Sequence, residues 1–220
     1  LAYRFVTSIK GDVKVLSEDF CIQLTQDTRL VLQQPGGFTT SCEEEYTNVQ
    51  SAAWKAEDRM SELPLVIAGA KQKVFVSEFD LFDYPGMFMK GNADNSLSAV
   101  HPKVPVEFGD DGDRSVKILK EADCIAETNG TRSFPWRFMH ITQDDKQMAV
   151  NTMPMRLAPA SVIDDPSWIK VGKTTWEWWN GSIPYGPDVN FVSGLNLDTY
   201  KYFVDFAAAN GLQYILMDEG

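Results

Sequence analysis

Lys73-Val74-Phe75-Val76-Ser77-Glu78 sets the reading of this chain. The stretch has the β-branched and aromatic character of a strand in a sheet with one buried face. Just upstream, Leu63-Pro64-Leu65-Val66-Ile67 reads as another strand of that kind. Toward the amino terminus the period of two returns in Leu1-Ala2-Tyr3-Arg4-Phe5-Val6 and in Val13-Lys14-Val15. Gly11-Asp12 is the expected turn between them, and Phe20-Cys21-Ile22-Gln23-Leu24 is a further strand. Gln33-Gln34-Pro35-Gly36-Gly37 is a loop, because Pro and Gly break any element, and Ser41-Cys42-Glu43-Glu44-Glu45-Tyr46 is a solvated acidic loop. Downstream, Asp83-Tyr84-Pro85-Gly86 is a turn and Met87-Phe88-Met89 opens a strand. Residues 91–112, rich in Gly, Asn, Asp, Ser and Pro, read as a long irregular excursion. Phe138-Met139-His140-Ile141 is a strand, with Gln143-Asp144-Asp145-Lys146 as its turn.

The pattern changes near Ile163. Asp164 to Gly172 reads as a joining segment, and Thr174-Thr175-Trp176-Glu177-Trp178-Trp179 as a short strand. Asn196 is placed to cap a helix over residues 200–210, with Tyr200, Phe203, Val204 and Ala207 on one stripe. Asn210-Gly211 stops it. Tyr214-Ile215-Leu216-Met217 has the continuous apolar character of a buried parallel strand. The expected division is therefore a β domain over 1–163 and, over 164–220, a linker with a β-loop-α-β unit. In such units ligands sit beyond the carboxyl ends of the strands, where Glu177, Asn180, Asp218 and Glu219 fall. A helix and two parallel strands cannot bury their faces alone, so the chain is expected to be a fragment of a longer protein.

Composition narrows the function. Of 220 residues, 44% are apolar and 23% charged, ordinary values for a folded chain. Acidic residues number 31 against 20 basic, a net charge of −11, which argues against a nucleic-acid partner because phosphate binding needs clustered Lys and Arg. The excess suits a neutral or cationic ligand or a bound cation, with a solvated acidic surface as the plain alternative. No apolar run of about 18 residues is present to span a membrane. The chain opens at Leu1 with no basic-then-apolar leader, so a signal peptide is expected to be absent or already removed. Three cysteines at wide spacing make neither a disulfide framework nor a zinc site; buried thiols are the first expectation and one disulfide the second. Two histidines leave little for a histidine metal site or a Ser-His-Asp triad. Aromatics reach 12%, which suits sugar stacking and β cores alike.

Several ordered motifs together resemble glycoside hydrolase family 97. They are Val76-Ser77-Glu78-Phe79-Asp80-Leu81 with Asp83-Tyr84-Pro85-Gly86, then Phe134-Pro135-Trp136-Arg137 and Asp165-Pro166-Ser167-Trp168-Ile169-Lys170. Trp176-Glu177-Trp178-Trp179-Asn180, Gly194 to Tyr202 and Ile215-Leu216-Met217-Asp218-Glu219-Gly220 complete the set. The resemblance implies a mixed fold: a partial N-terminal antiparallel β-supersandwich followed by the start of a (β/α)8 catalytic barrel. A full barrel needs about 250 residues, so the barrel is expected to be truncated, with no catalytic carboxylate in this piece and no activity of the piece alone. The implied activity is hydrolysis of terminal α-glycosidic bonds in oligosaccharides by a periplasmic or secreted bacterial enzyme that uses calcium. The Trp-rich run and the Asp-Glu-Gly ending resemble the inverting α-glucosidase branch more than the retaining α-galactosidase branch. Two alternatives stay open: the α-galactosidase, and a non-catalytic carbohydrate-binding β-sandwich.

By the same resemblance Glu78 reaches calcium; its structural reading is a surface carboxylate at a strand end. Calcium takes six to eight hard oxygen ligands, so the others are expected beyond Gly220. Asp80 and Asp83 read as turn-forming. Strand alternation puts Trp176 and Trp178 on one face and Trp179 on the other, with at least one indole expected to stack on a sugar and the rest to pack inside. Glu177, Trp179, Asn180, Asp218 and Glu219 are the candidate substrate-binding residues. Asp218 and Glu219 are not read as a catalytic pair, since neighbours on a strand point to opposite faces and paired carboxylates must flank one bond. Arg137 is expected in a structural salt bridge.

Overall fold

The computed structural model describes residues 1–112 and 115–218. In chain order its strands are β1 (Ala2–Tyr3), β2 (Val6–Val15), β3 (Cys21–Gln23), β4 (Arg29–Leu32), β5 (Thr47–Gln50), β6 (Leu65–Ala68), β7 (Lys73–Phe79), β8 (Phe88–Gly91), β9 (Ser96–Val100), β10 (Pro105–Asp110), β11 (Val116–Glu121), β12 (Ala126–Ser133) and β13 (Trp136–Thr142). Two short helices follow, α1 (Asp145–Ala149) and α2 (Met153–Leu157), then β14 (Thr174–Trp176), a 3-10 turn over Glu177–Asn180, α3 (Leu197–Ala209) and β15 (Tyr214–Leu216). The chain divides into one unit over Leu1–Ala160 and a second beginning at Ser161.

The first unit is an antiparallel, sandwich-like β domain. One sheet has the strand order β1-β13-β7-β6-β4-β5 and another the order β3-β9-β8. Alternation drives their packing: Leu30 and Leu32 of β4, Leu65 and Ile67 of β6 and Val76 of β7 form one core cluster with Met89 of β8 and Leu97 of β9. Six of these side chains are wholly hidden from solvent, and burying each contributes about 1.5–3 kcal/mol. Trp54, between β5 and β6, closes the cluster and donates its indole N–H to the Arg59 carbonyl at 2.9 Å.

Four expectations need correction. Gly11-Asp12 does not end a strand: β2 runs through it against β12, with a register shift opposite, between Asn129 and Thr131. Gly11 takes the left-handed φ of +84° there, and a Cβ on Gly130 would sit 2.6 Å from the Ile9 carbonyl oxygen. Two facing glycines thus make a bulge, not a turn. Residues 91–112 are not one irregular excursion, because they hold β9 and β10. Their turn-forming residues are spent on one tight reversal, where Asn95 has φ +62° and Asp94 accepts from the Ser96 amide at 3.1 Å. Asp144 caps helix α1 where a plain turn was expected, accepting from the Lys146 amide. The Trp-rich strand stops at Trp176, so its alternation does not extend to Trp178 and Trp179.

In the second unit β14 and β15 pair in parallel, with Trp176 opposite Leu216. The expected cap holds: Asn196 accepts from the Thr199 amide at 3.0 Å and starts α3. Cys124 is buried, Cys21 is exposed, and the three thiols are free. No helix among the described residues is long and apolar enough to cross a membrane.

Gly91 tests the core's tightness. A Cβ there would lie 2.2 Å from the Trp54 carbonyl oxygen, a backbone atom that cannot swing aside. Gly91→Ala is expected to destabilise the protein by about 1–3 kcal/mol, as overpacking does, read as a lowered urea midpoint with unchanged slope.

Candidate functional site

Two clusters carry chemistry, one in each unit. In the first, strand pairing brings the charged groups together: Arg137 of β13 lies directly across the ladder from Glu78 of β7. The Arg137 side chain is 1% exposed, Glu78 8% and Glu18 6%, so this is an interior ion cluster. Arg137 donates from Nε to Glu18 Oε1 and from Nη2 to Glu18 Oε2, each at 2.6 Å, and from Nη1 to Glu78 Oε2. Glu78 Oε1 accepts the Met87 amide at 2.7 Å, so the loop after Pro85-Gly86 folds over its carboxylate. Tyr84 donates its hydroxyl to Glu18 Oε2 at 2.9 Å. The ring of Tyr84 packs edge-on against His101 and Phe134.

The two carboxylates respond differently to the shared cation. Burial works to raise Glu18, but the forked Arg137 contact and the Tyr84 hydroxyl outweigh it and leave the group below its ordinary 4.5. Burial dominates at Glu78 and raises it, against the opposing pull of the Met87 amide and Arg137. Arg137 gives Glu78 one N–H and Glu18 two, and Glu18 itself repels charge on Glu78. Burial also lowers His101 and, with the Glu18 charge, raises Tyr84. A groove of about 540 Å³ lies beside the cluster, bordered by Phe5, Ile9, Val15, Glu18, Tyr84 and Phe134.

The surface-carboxylate reading of Glu78 therefore fails, and the salt-bridge reading of Arg137 holds. Glu18, the group that neutralises Arg137, was missed. Nothing in Leu16-Ser17-Glu18-Asp19 marks it, because its partner is 119 positions away. Asp80 and Asp83 sit in left-handed turn conformations, φ +66° and +47°, and Asp80 also pairs with Arg4 at 3.3 Å.

Calcium does not fit the described residues taken alone. Both Glu78 oxygens already hold partners. No group of three or more His, Cys, Asp or Glu able to hold a metal ion occurs among the described residues, and one carboxylate is a minority of calcium's ligands.

In the second unit the parallel ladder places Glu177 and Asp218 at neighbouring carboxyl ends of β14 and β15. Glu177 is 2% exposed, and its Oε1 accepts the Asp218 amide at 2.7 Å and the Tyr200 hydroxyl at 3.1 Å. Its Oε2 is buried with no hydrogen-bond partner among the described residues. Trp178 and Trp179 are 64% and 82% exposed. The 3-10 turn stacks i on i+3, so Trp176 contacts Trp179, ring centroids 5.8 Å apart, instead of sharing a face with Trp178. Asn180 donates to the Ile183 carbonyl at 3.0 Å and is exposed. Trp179, Asn180 and Asp218 thus gather at the strand ends, while Glu177 turns inward; Glu219 lies outside the described residues.

Residues 1–159 match the family model described as Glycosyl-hydrolase 97 N-terminal, and the chain belongs to glycoside hydrolase family 97. It is 36% identical over 233 aligned residues to a retaining alpha-galactosidase of Bacteroides thetaiotaomicron, covering 100% of this chain and 35% of that relative. It is similar in structure to a variant of a family 97 enzyme from Pseudoalteromonas sp. strain K8, at TM-score 0.70 and 18% identity over 99% of this chain and 30% of that one. The acarbose complex of the same organism's family 97 enzyme matches at TM-score 0.68 and 17% identity, with the same coverage. The chain spans about a third of the length of these proteins.

Removing one partner of a buried ion pair costs about 3–5 kcal/mol, so Glu18→Gln is expected to lower stability at neutral pH by that amount. The sign with pH follows from the depressed Glu18 group: its stabilisation is present above 4.5 and is lost as pH falls through its folded value. Glu78, raised, runs the other way. Denaturation midpoints at neutral pH and below 4.5 are expected to show a smaller gap between variant and wild type on the acid side.

Proposed function

We propose that the full-length protein hydrolyses terminal α-glycosidic bonds, with α-galactosides as its substrates. The carrying observation is the 36% identity to a retaining alpha-galactosidase along the whole of this chain. This departs from the α-glucosidase branch that the Trp-rich run and the Asp-Glu-Gly ending resemble. The α-glucosidase reading is kept as the second, supported by those motifs and by the structural likeness to a family 97 enzyme that binds acarbose.

In this reading the second unit opens a (β/α)8 barrel, and its polar strand ends line the sugar site. Trp179, with its exposed indole, offers a flat apolar surface for a pyranose ring, while Asn180 and Asp218 offer hydrogen bonds to sugar hydroxyls. We assign no acid, base or nucleophile to the described residues. In a retaining enzyme one carboxylate would attack the anomeric carbon while a second protonates the departing oxygen; in an inverting one the first would activate water instead. Calcium belongs to this reading as an ion held mainly by carboxylates outside the described residues, with Glu78 the donor proposed from this chain. What supports Glu78 is the motif resemblance; both its oxygens are engaged, by the Met87 amide and by Arg137, so holding an ion there would require one of those contacts to open.

Rates on aryl α-galactoside and aryl α-glucoside with the full-length protein separate the two readings: faster galactoside hydrolysis is expected, and a preference for the glucoside would reverse it. Failure on both, with sugar binding intact, would favour the binding-module alternative. Titration calorimetry of calcium into wild type and Glu78→Gln is expected to show weaker binding by about tenfold or more for the variant, the scale set by losing a ligand contact of about 1.4 kcal/mol; equal affinities would remove Glu78 from the ion site.

A further inference from the structure

We infer that Glu177 is a positioning residue: it fixes Asp218 at the end of β15, and it is Asp218, not Glu177, that meets the sugar. This rests on the reading above, in which the strand ends line the sugar site. The parallel ladder ends at Trp176 and Leu216, and Asp218 lies two residues beyond it. The Asp218 amide finds its acceptor in Glu177 Oε1, 2.7 Å away. The same oxygen accepts the Tyr200 hydroxyl from α3 at 3.1 Å. One buried oxygen therefore ties together the end of β14, the first turns of α3 and the residue that leaves β15. At 2% exposure Glu177 is closed to a ligand, whereas its hydrogen bond governs the backbone of a residue at the rim.

The arrangement has a cost that points the same way. A buried carboxylate oxygen with no hydrogen-bond partner, as Oε2 is among the described residues, carries a desolvation penalty of a few kcal/mol. Alanine would remove that penalty, but it would also take the acceptor from both the Asp218 amide and the Tyr200 hydroxyl. Glutamine keeps an acceptor oxygen at the same reach and puts an amide NH2 in place of Oε2. A positioning role needs the acceptor; a role in the chemistry would need the carboxylate.

The test uses the full-length protein and whichever aryl α-glycoside the wild type cleaves. Glu177→Gln is expected to keep kcat/KM within about threefold of wild type, and Glu177→Ala to lose about tenfold or more. In an Asp218→Ala background Glu177→Ala is expected to add less than about twofold, because a residue acting through another is non-additive with it. Tyr200→Phe, which leaves the Asp218 contact in place, is expected to change KM by less than Glu177→Ala does; if the alanine variant does not fold, Glu177→Met, which keeps the bulk and removes the acceptor, takes its place. Amide exchange at Asp218 supplies a readout independent of turnover: protected in wild type and Glu177→Gln, unprotected in Glu177→Ala. A glutamine variant as impaired as the alanine variant at unchanged stability, full multiplicativity with Asp218→Ala, or an unprotected Asp218 amide in the wild type would each overturn the inference. A wild type that cleaves neither glycoside but keeps the protected amide would sink the substrate reading and leave the Glu177–Asp218 tether standing.

Discussion

A guanidinium at 1% exposure is the constraint around which the first unit is organised. An unpaired charge in that position would cost far more than any one apolar contact returns. Arg137 therefore has to gather acceptors, and it gathers them from two places: Glu78 across the ladder and Glu18 from the segment between β2 and β3, with Tyr84 donating its hydroxyl to Glu18 in turn. Once Glu18 and Glu78 are committed, the loop 84–87 must close over them, because the Met87 amide is the acceptor-matched donor for the remaining Glu78 oxygen. One cation thus fixes the path of two loops that the hydrophobic core alone leaves undetermined.

The second unit repeats the device with an acceptor at its centre. There a buried carboxylate oxygen collects two donors, the Asp218 amide and the Tyr200 hydroxyl, and sets the geometry of a strand end. In both places the interior polar group does not itself face solvent; it orders neighbouring backbone. The net charge of −11 is thus not only a solvated surface. Its most consequential members, Glu18, Glu78 and Glu177, are among the least exposed.

Secondary structure was legible where the local pattern carried it. The alternation in β6 and β7, the Asn196 cap of α3, the Gly211 stop and the strand at β15 each depend on neighbours within a few residues, although Tyr214 and Leu216 of β15 are 43% and 48% exposed where burial was expected. Gly11-Asp12 and residues 91–112 misled because Gly, Asn and Asp mark several geometries: a bulge at Gly11, a tight reversal at Asn95. The Trp-rich run misled for a related reason, since the shift from strand to 3-10 turn at Glu177 reverses which indoles meet. The side chain given to sugar binding there is turned inward, toward a partner 41 positions away.

The sequence by itself determined an antiparallel β domain, a β-α-β unit after it, and the family to which the ordered motifs point, because periodicity, caps and motif order are written in consecutive residues. Only the tertiary structure decided that Arg137 sits between Glu18 and Glu78, and that Glu177 faces Asp218 and Tyr200 and not solvent. Those pairings join positions from 23 to 119 residues apart, and no local pattern encodes which distant acceptor a buried donor will reach.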